Sequence, residues 1–168
     1  MRLLISSLLV RVRAAYWRAI YRGFTARYRV HPTFRFNGQG IQLYGDGAIE
    51  LGEDGYIGEL STLQASAGRT IRIGKRCRIS HNVRIYTETS DADSDFRIGE
   101  GGVICADVEI GDGVWIGANV FIGPGIVIAA NAVIGANAVV TRDVPESEIW
   151  GGVPARLIRA KRPAKGPA

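Results

Sequence analysis

Apolar residues recur at every sixth position through the middle of the chain. The longest series runs over eight positions: Ile98, Ile104, Ile110, Ile116, Ile122, Ile128, Ile134 and Val140. Two shorter series precede it, Ile73, Ile79 and Ile85, and the less regular Leu51, Ile57 and Leu63. A helix of about 3.6 residues per turn would scatter such a series around its surface. A hexapeptide period is typical of a β-helix, in which short strands stack coil upon coil.

Each hexad predicts a short strand with its isoleucine pointing inward, followed by a turn. A glycine often follows the repeat residue, where it eases a sharp bend. Three hexads make a triangular coil of about eighteen residues, which would stack Ile98, Ile116 and Ile134 on one another. We therefore expect an all-β solenoid, a parallel β-helix of hexapeptide repeats, over residues 51–145.

The period is interrupted between Ile85 and Ile98, which are thirteen positions apart where two hexads would need twelve. We expect residues 86–97 to leave the coil as an extruded loop. The loop is rich in acids, namely Glu88, Asp91, Asp93 and Asp95. A second irregularity separates Leu63 from Ile73.

The two ends of the chain differ from its middle. Residues 1–30 carry seven arginines and no acid, and we expect a basic amphipathic N-terminal helix there. Such a helix could lie on an anionic membrane surface, or it could pack on its own domain or on a sister subunit. Residues 31–50 are expected to form a linker or a first irregular coil, and residues 146–168 a C-terminal cap and basic tail.

Charge and composition narrow the classes of function. The net charge of +5 comes from the two ends, so binding of nucleic acid by a folded basic face is disfavoured. Two cysteines, Cys77 and Cys105, are too few for a disulfide framework or a zinc site. We expect a cytoplasmic protein without a metal centre, with a possible peripheral contact to the inner face of the membrane.

Three segments resemble a known family: IGDGVWIGANVFIGPGIVI (110–128), IGANAVVTRDVP (134–145) and GGVPARLIR (151–159). They are similar to the hexapeptide-repeat acyltransferases, in the branch of the maltose, galactoside and polysaccharide O-acetyltransferases. The resemblance covers residues 51–160. It implies a left-handed coil, a homotrimer, and acetyl-CoA as co-substrate in a groove between subunits. The period alone would also permit a purely structural solenoid.

The same motifs imply positions that bind the co-substrate. The seven positions are Trp115, Ala118, Ala136, Thr141, Arg142, Arg156 and Arg159. The two alanines would line the pantetheine groove, because small residues let an extended ligand approach the backbone. The three arginines match basic residues that lie near the nucleotide and its phosphates in the family, with Arg142 in place of a lysine.

The catalytic assignment is open at the level of sequence. In the family a histidine follows the motif Tyr-Thr-x-Thr, but Ser90 stands at that position here. Of the two histidines in the chain, His81 lies closer to the loop than His31 does. His81 could act as the general base, or a loop acid such as Asp91 could do so or orient His81, or the site could be inactive. Ser90 could donate a hydrogen bond to an oxyanion.

The resemblance implies an acetyl-CoA-dependent O-acetyltransferase that acts on a sugar hydroxyl. A basic helix would suit a lipid-linked acceptor, such as a precursor of a surface polysaccharide or a glycolipid. Two alternatives stay open: a non-catalytic β-helix scaffold, and an N-acyltransferase that acts on an amino sugar or an amino acid.

Overall fold

The computed structural model describes residues 2–163 as one helix followed by a three-sided prism of parallel strands. The helix, α1, covers Arg2–Arg27. Face 1 of the prism contains β1 (Arg29–Val30), β4 (Ala48–Leu51), β7 (Thr70–Ile73), β12 (Val108–Ile110) and β15 (Val127–Ile128). The predicted parallel β-helix with an N-terminal helix is therefore confirmed.

The other two faces have the same construction. Face 2 contains β2 (Arg35–Asn37), β5 (Tyr56–Gly58), β8 (Arg78–Ile79), β13 (Trp115–Ile116), β16 (Val133–Ile134), β18 (Glu148–Gly151) and β19 (Arg156–Ala160). Face 3 contains β3 (Gln42–Tyr44), β6 (Thr62–Gln64), β9 (Arg84–Tyr86), β14 (Phe121–Ile122) and β17 (Val139–Val140). The chain thus completes five coils before β18 begins a sixth.

The repeat residues form the core in vertical stacks. On face 2, Ile116 pairs with Ile79 on one side and with Ile134 on the other, and all three are fully buried. A second inward row stands two positions before the repeat residues, as at Val114 and Val120. One coil cannot cover this apolar interior alone, so the coils stabilise one another by stacking.

The start of the long hexad series was assigned wrongly from the sequence. Ile98 and Ile104 lie outside the prism with 86% and 48% of their surface exposed, and Ile79 occupies the place below Ile116 that was expected for Ile98. The extruded segment continues beyond residue 97 to the start of β12 at Val108. It forms a hairpin of two antiparallel strands, β10 (Glu88–Ser90) and β11 (Val103–Cys105).

Most of the first coil lies within residues 31–50, which were expected to be a linker or a first irregular coil, and its first strand β1 precedes that range. Its strands pair in regular register with the second coil, since Phe36 pairs with Ile57 and Leu43 pairs with Leu63. The prism therefore begins well before residue 51.

The helix covers the N-terminal end of the prism. The ring of Tyr21 stacks on that of Phe36 with 4.8 Å between centroids, and Phe24 packs beside them. The Tyr21 hydroxyl donates a hydrogen bond to the carbonyl oxygen of Gly38. An end coil must be covered in this way, because its open strand edges and apolar interior would otherwise recruit other chains. No helix among residues 2–163 is long and apolar enough to cross a membrane.

The C-terminal end is closed differently. Strand β18 pairs in parallel with β16, and β19 folds back antiparallel along β18. Lys161 then donates hydrogen bonds to the carbonyl and side-chain oxygens of Asn131. Residues 164–168 of the expected basic tail lie outside the described residues.

Candidate active site

One corner of the prism carries small residues and a histidine on successive coils. This corner, between faces 2 and 3, has His81 on the third coil, Ala118 on the fourth and Ala136 on the fifth. The backbone N–H of Asn119 donates to the His81 carbonyl at 3.0 Å, and that of Asn137 donates to the Ala118 carbonyl at 2.8 Å. These bonds hold the three residues in a single column with about 4.8 Å between neighbours.

The next residue on each coil fixes the corner. Asn82, Asn119 and Asn137 have φ angles of 55°, 59° and 61°, a left-handed conformation that asparagine tolerates better than most residues. The side-chain N–H of Asn82 donates to the side-chain oxygen of Asn119 at 2.8 Å, and the side-chain N–H of Asn119 donates to the side-chain oxygen of Asn137 at 3.0 Å. This ladder of amides keeps the preceding residues of the column in register.

The column continues to a cation at the C-terminal end of the prism. Gly151 stacks on Gly135, the residue before Ala136, and pairs with Arg156 of β19. Four strand spacings separate β8 from β19, so His81 and Arg156 mark the two ends of a track about 19 Å long. We call the surface formed by His81, Ala118, Ala136, Gly151 and Arg156 the corner track.

The corner track has the properties that an extended ligand with an anionic end requires. Ala118 is partly exposed, and Ala136 and His81 are exposed, so backbone groups between the two ends stay accessible. The guanidinium of Arg156 donates to the carbonyl of its neighbour Ala155 at 2.8 Å, which leaves further N–H donors for a phosphate. Pantetheine and nucleotide phosphates fit these two parts.

A cleft on face 2 adjoins the histidine end of the track. Its volume is about 830 Å³. Tyr56, Arg78 and Trp115 lie side by side in its wall on three successive coils. Trp115 has 51% of its surface exposed, and Ser80, next to His81 in the chain, also lines the cleft. The cleft therefore reaches the residue that precedes His81 in the chain.

Tyr56 and Arg78 were not identified from the sequence, although the hexad contained the signal. Each immediately precedes an inward repeat residue, Ile57 or Ile79, as Trp115 precedes Ile116. Successive residues of a strand point to opposite sides, so residues in this position face outward on face 2. A comparison of the positions before each repeat residue would have grouped them.

The other expected site residues are distributed over the molecule. Arg159 lies on β19 beside Ile149, three residues beyond Arg156. Thr141 and Arg142 follow β17 and are exposed at the far edge of face 3. Ala136 and Thr141 stand before and after β17, at opposite edges of face 3. Within one chain the structure thus places Arg156 on the track and Arg159 on the same strand, and leaves Thr141 and Arg142 apart from it.

The hairpin also lies at the far edge of face 3. Its root, Thr87, is six residues beyond His81, which corresponds to about 20 Å of extended chain. Ser90 and Asp91 follow the root, and no hydrogen bond joins either side chain to His81 in the described part of the chain. His81 and Ser90 thus lie at opposite edges of face 3, at the two ends of the segment that contains β9.

The acids of the hairpin hold its own backbone. Asp91 accepts a hydrogen bond from the backbone N–H of Asp93 at 3.1 Å. Asp95 forms an ion pair with Arg97 at 2.7 Å, and the hydrogen bonds from Arg97 lower the pKa of the Asp95 carboxyl. Since a general base works best with a pKa near the operating pH, this shift makes Asp95 a poor candidate for proton abstraction.

The chain is similar to known transferases in sequence and in structure. Residues 107–142 match the family model described as bacterial transferase hexapeptide (six repeats). The maltose O-acetyltransferase of Clostridium difficile 630 is 30% identical, with a TM-score of 0.59 over 77% of this chain and 70% of the other. No curated protein matches the chain significantly.

Two further solved structures have the same architecture. A galactoside acetyltransferase in complex with coenzyme A is 29% identical, with a TM-score of 0.63 over 77% of this chain and 66% of the other. A variant of the N-acyltransferase AntD from Bacillus cereus, in complex with dTDP-4-amino-4,6-dideoxyglucose and coenzyme A, has a TM-score of 0.68. The two chains are 23% identical, and the match covers 77% of this chain and 70% of the other. At this identity the similarity supports the fold alone.

Proposed function

The chain belongs to the bacterial hexapeptide-repeat transferases, and we propose that it is an acyltransferase that uses acetyl-CoA to acetylate a sugar hydroxyl. The observation that carries this proposal is the corner track, in which a histidine and an arginine stand at opposite ends of a column of small residues. Maltose O-acetyltransferase and galactoside acetyltransferase, the similar proteins, support the sugar acceptor. The galactoside acetyltransferase, solved in complex with coenzyme A, supports acetyl-CoA as the donor.

We assign the arginine end of the track to the phosphates of the donor. Arg156 and Arg159 bind phosphate oxygens through charge-assisted hydrogen bonds. The pantetheine arm lies over Ala118 and Ala136, with Trp115 at its side, and brings the thioester to His81. Thr141 and Arg142 reach the nucleotide from a neighbouring subunit of a homotrimer, because within one chain they lie on the far edge of face 3.

We assign the proton transfer to His81. Its imidazole removes the proton of the acceptor hydroxyl while the hydroxyl oxygen attacks the thioester carbonyl carbon. The new ester bond forms as the carbon–sulfur bond breaks, and the imidazolium returns the proton to the departing CoA thiolate. Ser90 of a neighbouring subunit donates a hydrogen bond to the developing oxyanion, and Asp91 orients the hairpin through its backbone contact.

The cleft on face 2 receives the acceptor. Tyr56 and Trp115 provide flat apolar surfaces for a sugar ring, and Arg76 and Arg78 lie in the same wall. Their charge favours an acceptor that carries phosphate, such as the diphosphate-linked precursor of a surface polysaccharide or glycolipid. The proposal places the acceptor hydroxyl next to Ser80 and His81, at the mouth of the cleft.

The test is the His81→Ala variant, compared with His31→Ala, in which the other histidine is removed. We expect His81→Ala to lower kcat about 10²- to 10⁴-fold and to leave the Kd for CoA, measured by calorimetry, unchanged. His31→Ala retains full activity. If His81→Ala is fully active and Asp91→Asn is not, the base lies on the hairpin, and the role of His81 is refuted.

One alternative is a non-catalytic scaffold, and the serine at position 90 favours it. Calorimetry with CoA separates the two functions, because the scaffold has no reason to bind CoA and the enzyme binds it through Arg156. In the Arg156→Ala variant we expect CoA affinity to fall about tenfold, because one charge-assisted contact is lost. Arg69→Ala is the matched surface control.

The other alternative is N-acylation of an amino group. An alkali-stable product would indicate this reaction in place of O-acetylation.

A further inference from the structure

Helix α1 has two apolar stripes, and only one of them contacts the prism. The contacting stripe consists of Ala14, Trp17, Tyr21 and Phe24, which recur every three or four residues and are all partly buried. Tyr21 and Phe24 pack against the core at the first coil. This stripe is the part of the helix that closes the end of the prism.

The second stripe faces away from the prism. It consists of Leu8, Leu9, Val12 and Tyr16, whose exposed fractions are 61%, 63%, 57% and 57%. At about 100° per residue it lies roughly 150° around the helix from the first stripe. The two apolar stripes nearly oppose each other, so the helix has no single apolar face, unlike the simple amphipathic helix that was expected. We call these four residues the outer stripe.

Arginines border the outer stripe on both sides. At about 100° per residue, Arg11, Arg18 and Arg22 lie along one edge of the outer stripe, and Arg13 lies along the other edge. The helix contains no acidic residue. Among the described residues, no carboxylate forms an ion pair with any of these four arginines. The outer stripe is therefore an apolar strip in a strongly cationic surround.

This charge pattern favours an anionic surface over a second copy of the same stripe. Packing the outer stripe of one chain on that of a second copy would bring rows of arginines together, and their repulsion would oppose the contact. An anionic lipid surface accepts both parts at once, because headgroups neutralise the arginines while the apolar side chains enter the boundary of the acyl region. Tyr16 has the amphipathic ring that favours this depth.

We propose that the outer stripe docks the protein on an anionic membrane surface with helix α1 lying in the interface. The first stripe stays on the prism, so the N-terminal end of the prism faces the lipid and the arginine end of the corner track points away from it. This inference does not depend on the acyl transfer, since neither stripe contributes a residue to the track.

The test is co-sedimentation of the full chain with vesicles of known composition. We expect binding to vesicles of equal parts phosphatidylcholine and phosphatidylglycerol, weakening as salt is added, and little binding to phosphatidylcholine alone. The Leu8→Ser/Val12→Ser variant should need at least tenfold more lipid for half-maximal binding. These side chains are exposed, so the circular dichroism spectrum and CoA affinity should stay unchanged.

A pair of charge variants isolates the electrostatic part. Arg11→Glu/Arg13→Glu should weaken binding at least thirtyfold, whereas Arg69→Glu/Arg162→Glu, with the same change in net charge, should change it less than twofold. Equal binding to neutral and anionic vesicles, or no binding to either, overturns the proposal. So does a change of oligomeric state in the outer-stripe variants without a change in lipid binding, which would make the stripe a contact between copies.

Discussion

The hairpin and the fourth and fifth coils carry the same six-residue pattern of apolar residues, yet only the coils bury it. Ile98 and Ile104 in the hairpin are 86% and 48% exposed, whereas Ile116 and Ile122 in the fourth coil are fully buried. The repeat residue alone therefore does not determine whether a hexad joins the prism.

The second inward position differs between the two regions but does not by itself explain the difference. In the fourth coil, Val114 and Val120 stand two residues before the repeat isoleucines and are buried with them. In the hairpin the corresponding residues are Phe96 and Gly102. Phe34 and Gly55 occupy this position in the first and second coils and are buried, and the ring of Phe34 packs against Gly55. A hexad therefore joins the prism when its inward side chains and those of the neighbouring coils together fill the interior.

The two regions also have different roles in the proposed site. The coils hold His81, Ala118 and Ala136 in a column fixed by backbone bonds and the asparagine ladder. The hairpin carries Ser90 and Asp91 at the other edge of face 3, so in the proposed homotrimer they act in the site of another subunit. A rigid region that aligns the donor and a projecting region that reaches another copy are both needed for the proposed site.

The largest expected contrast comes from shortening the same residue type in both regions. Ile116→Ala should lower the free energy of unfolding by about 4 kcal/mol, because it leaves a cavity among fully buried neighbours. Ile98→Ala should change it by less than about 0.5 kcal/mol. Denaturant unfolding of the two variants measures both values, and similar losses would show that Ile98 packs against the prism after all.

The two cysteines provide a second contrast, in their response to pH. Cys77 fills a second inward position in the third coil, and burial raises the pKa of its thiol to about 11. Above pH 9 the thiol ionises in the unfolded chain but not in the folded one, so stability is lost as pH rises from about 9 to 11. The thiol contribution amounts to about 3 kcal/mol over that range.

The control for this prediction is Cys77→Val, since valine fills the same position at Val114. Unfolding at each pH measures how far stability declines between pH 9 and 11. This decline should be smaller in the variant than in the native chain, and the difference should equal the thiol contribution.

A thiol reagent should also label Cys105, on the hairpin, far faster than Cys77 under native conditions. Equal labelling rates would contradict the assigned burial of Cys77.

The smallest effect is expected at the junction of the two regions. Thr87 is fully buried, and its hydroxyl accepts a hydrogen bond from the backbone N–H of Ser66 at 2.8 Å and contacts the Ser66 hydroxyl at 3.0 Å. Thr87→Val keeps the shape and leaves these groups without their partner, at a cost of about 2 kcal/mol. Thr89→Val, two residues along the exposed first strand of the hairpin, is the control and should be neutral in the same unfolding assay.

Much of the prism was predictable because its rules are local. The spacing of Ile110, Ile116 and Ile122 specified strands and corners, and the WIG and PARLIR motifs identified the family. The sequence also predicted that the chain leaves the prism soon after Ile85, and it does so after Thr87. The point of return was missed because Ile98 and Ile104 continued the count of six, and counting does not show on which coil a hexad stacks.

The amino-acid sequence by itself determined the period, the parallel β-helix and the family, since each depends on residues a few positions apart. Only the tertiary structure decided that His81 stands in one column with Ala118 and Ala136, that Tyr56 and Arg78 border the same cleft as Trp115, and that helix α1 keeps a second apolar stripe exposed. These relations join residues that are tens of positions apart. They depend on the number of residues that the chain spends outside the prism, because that number decides which hexads lie on neighbouring coils.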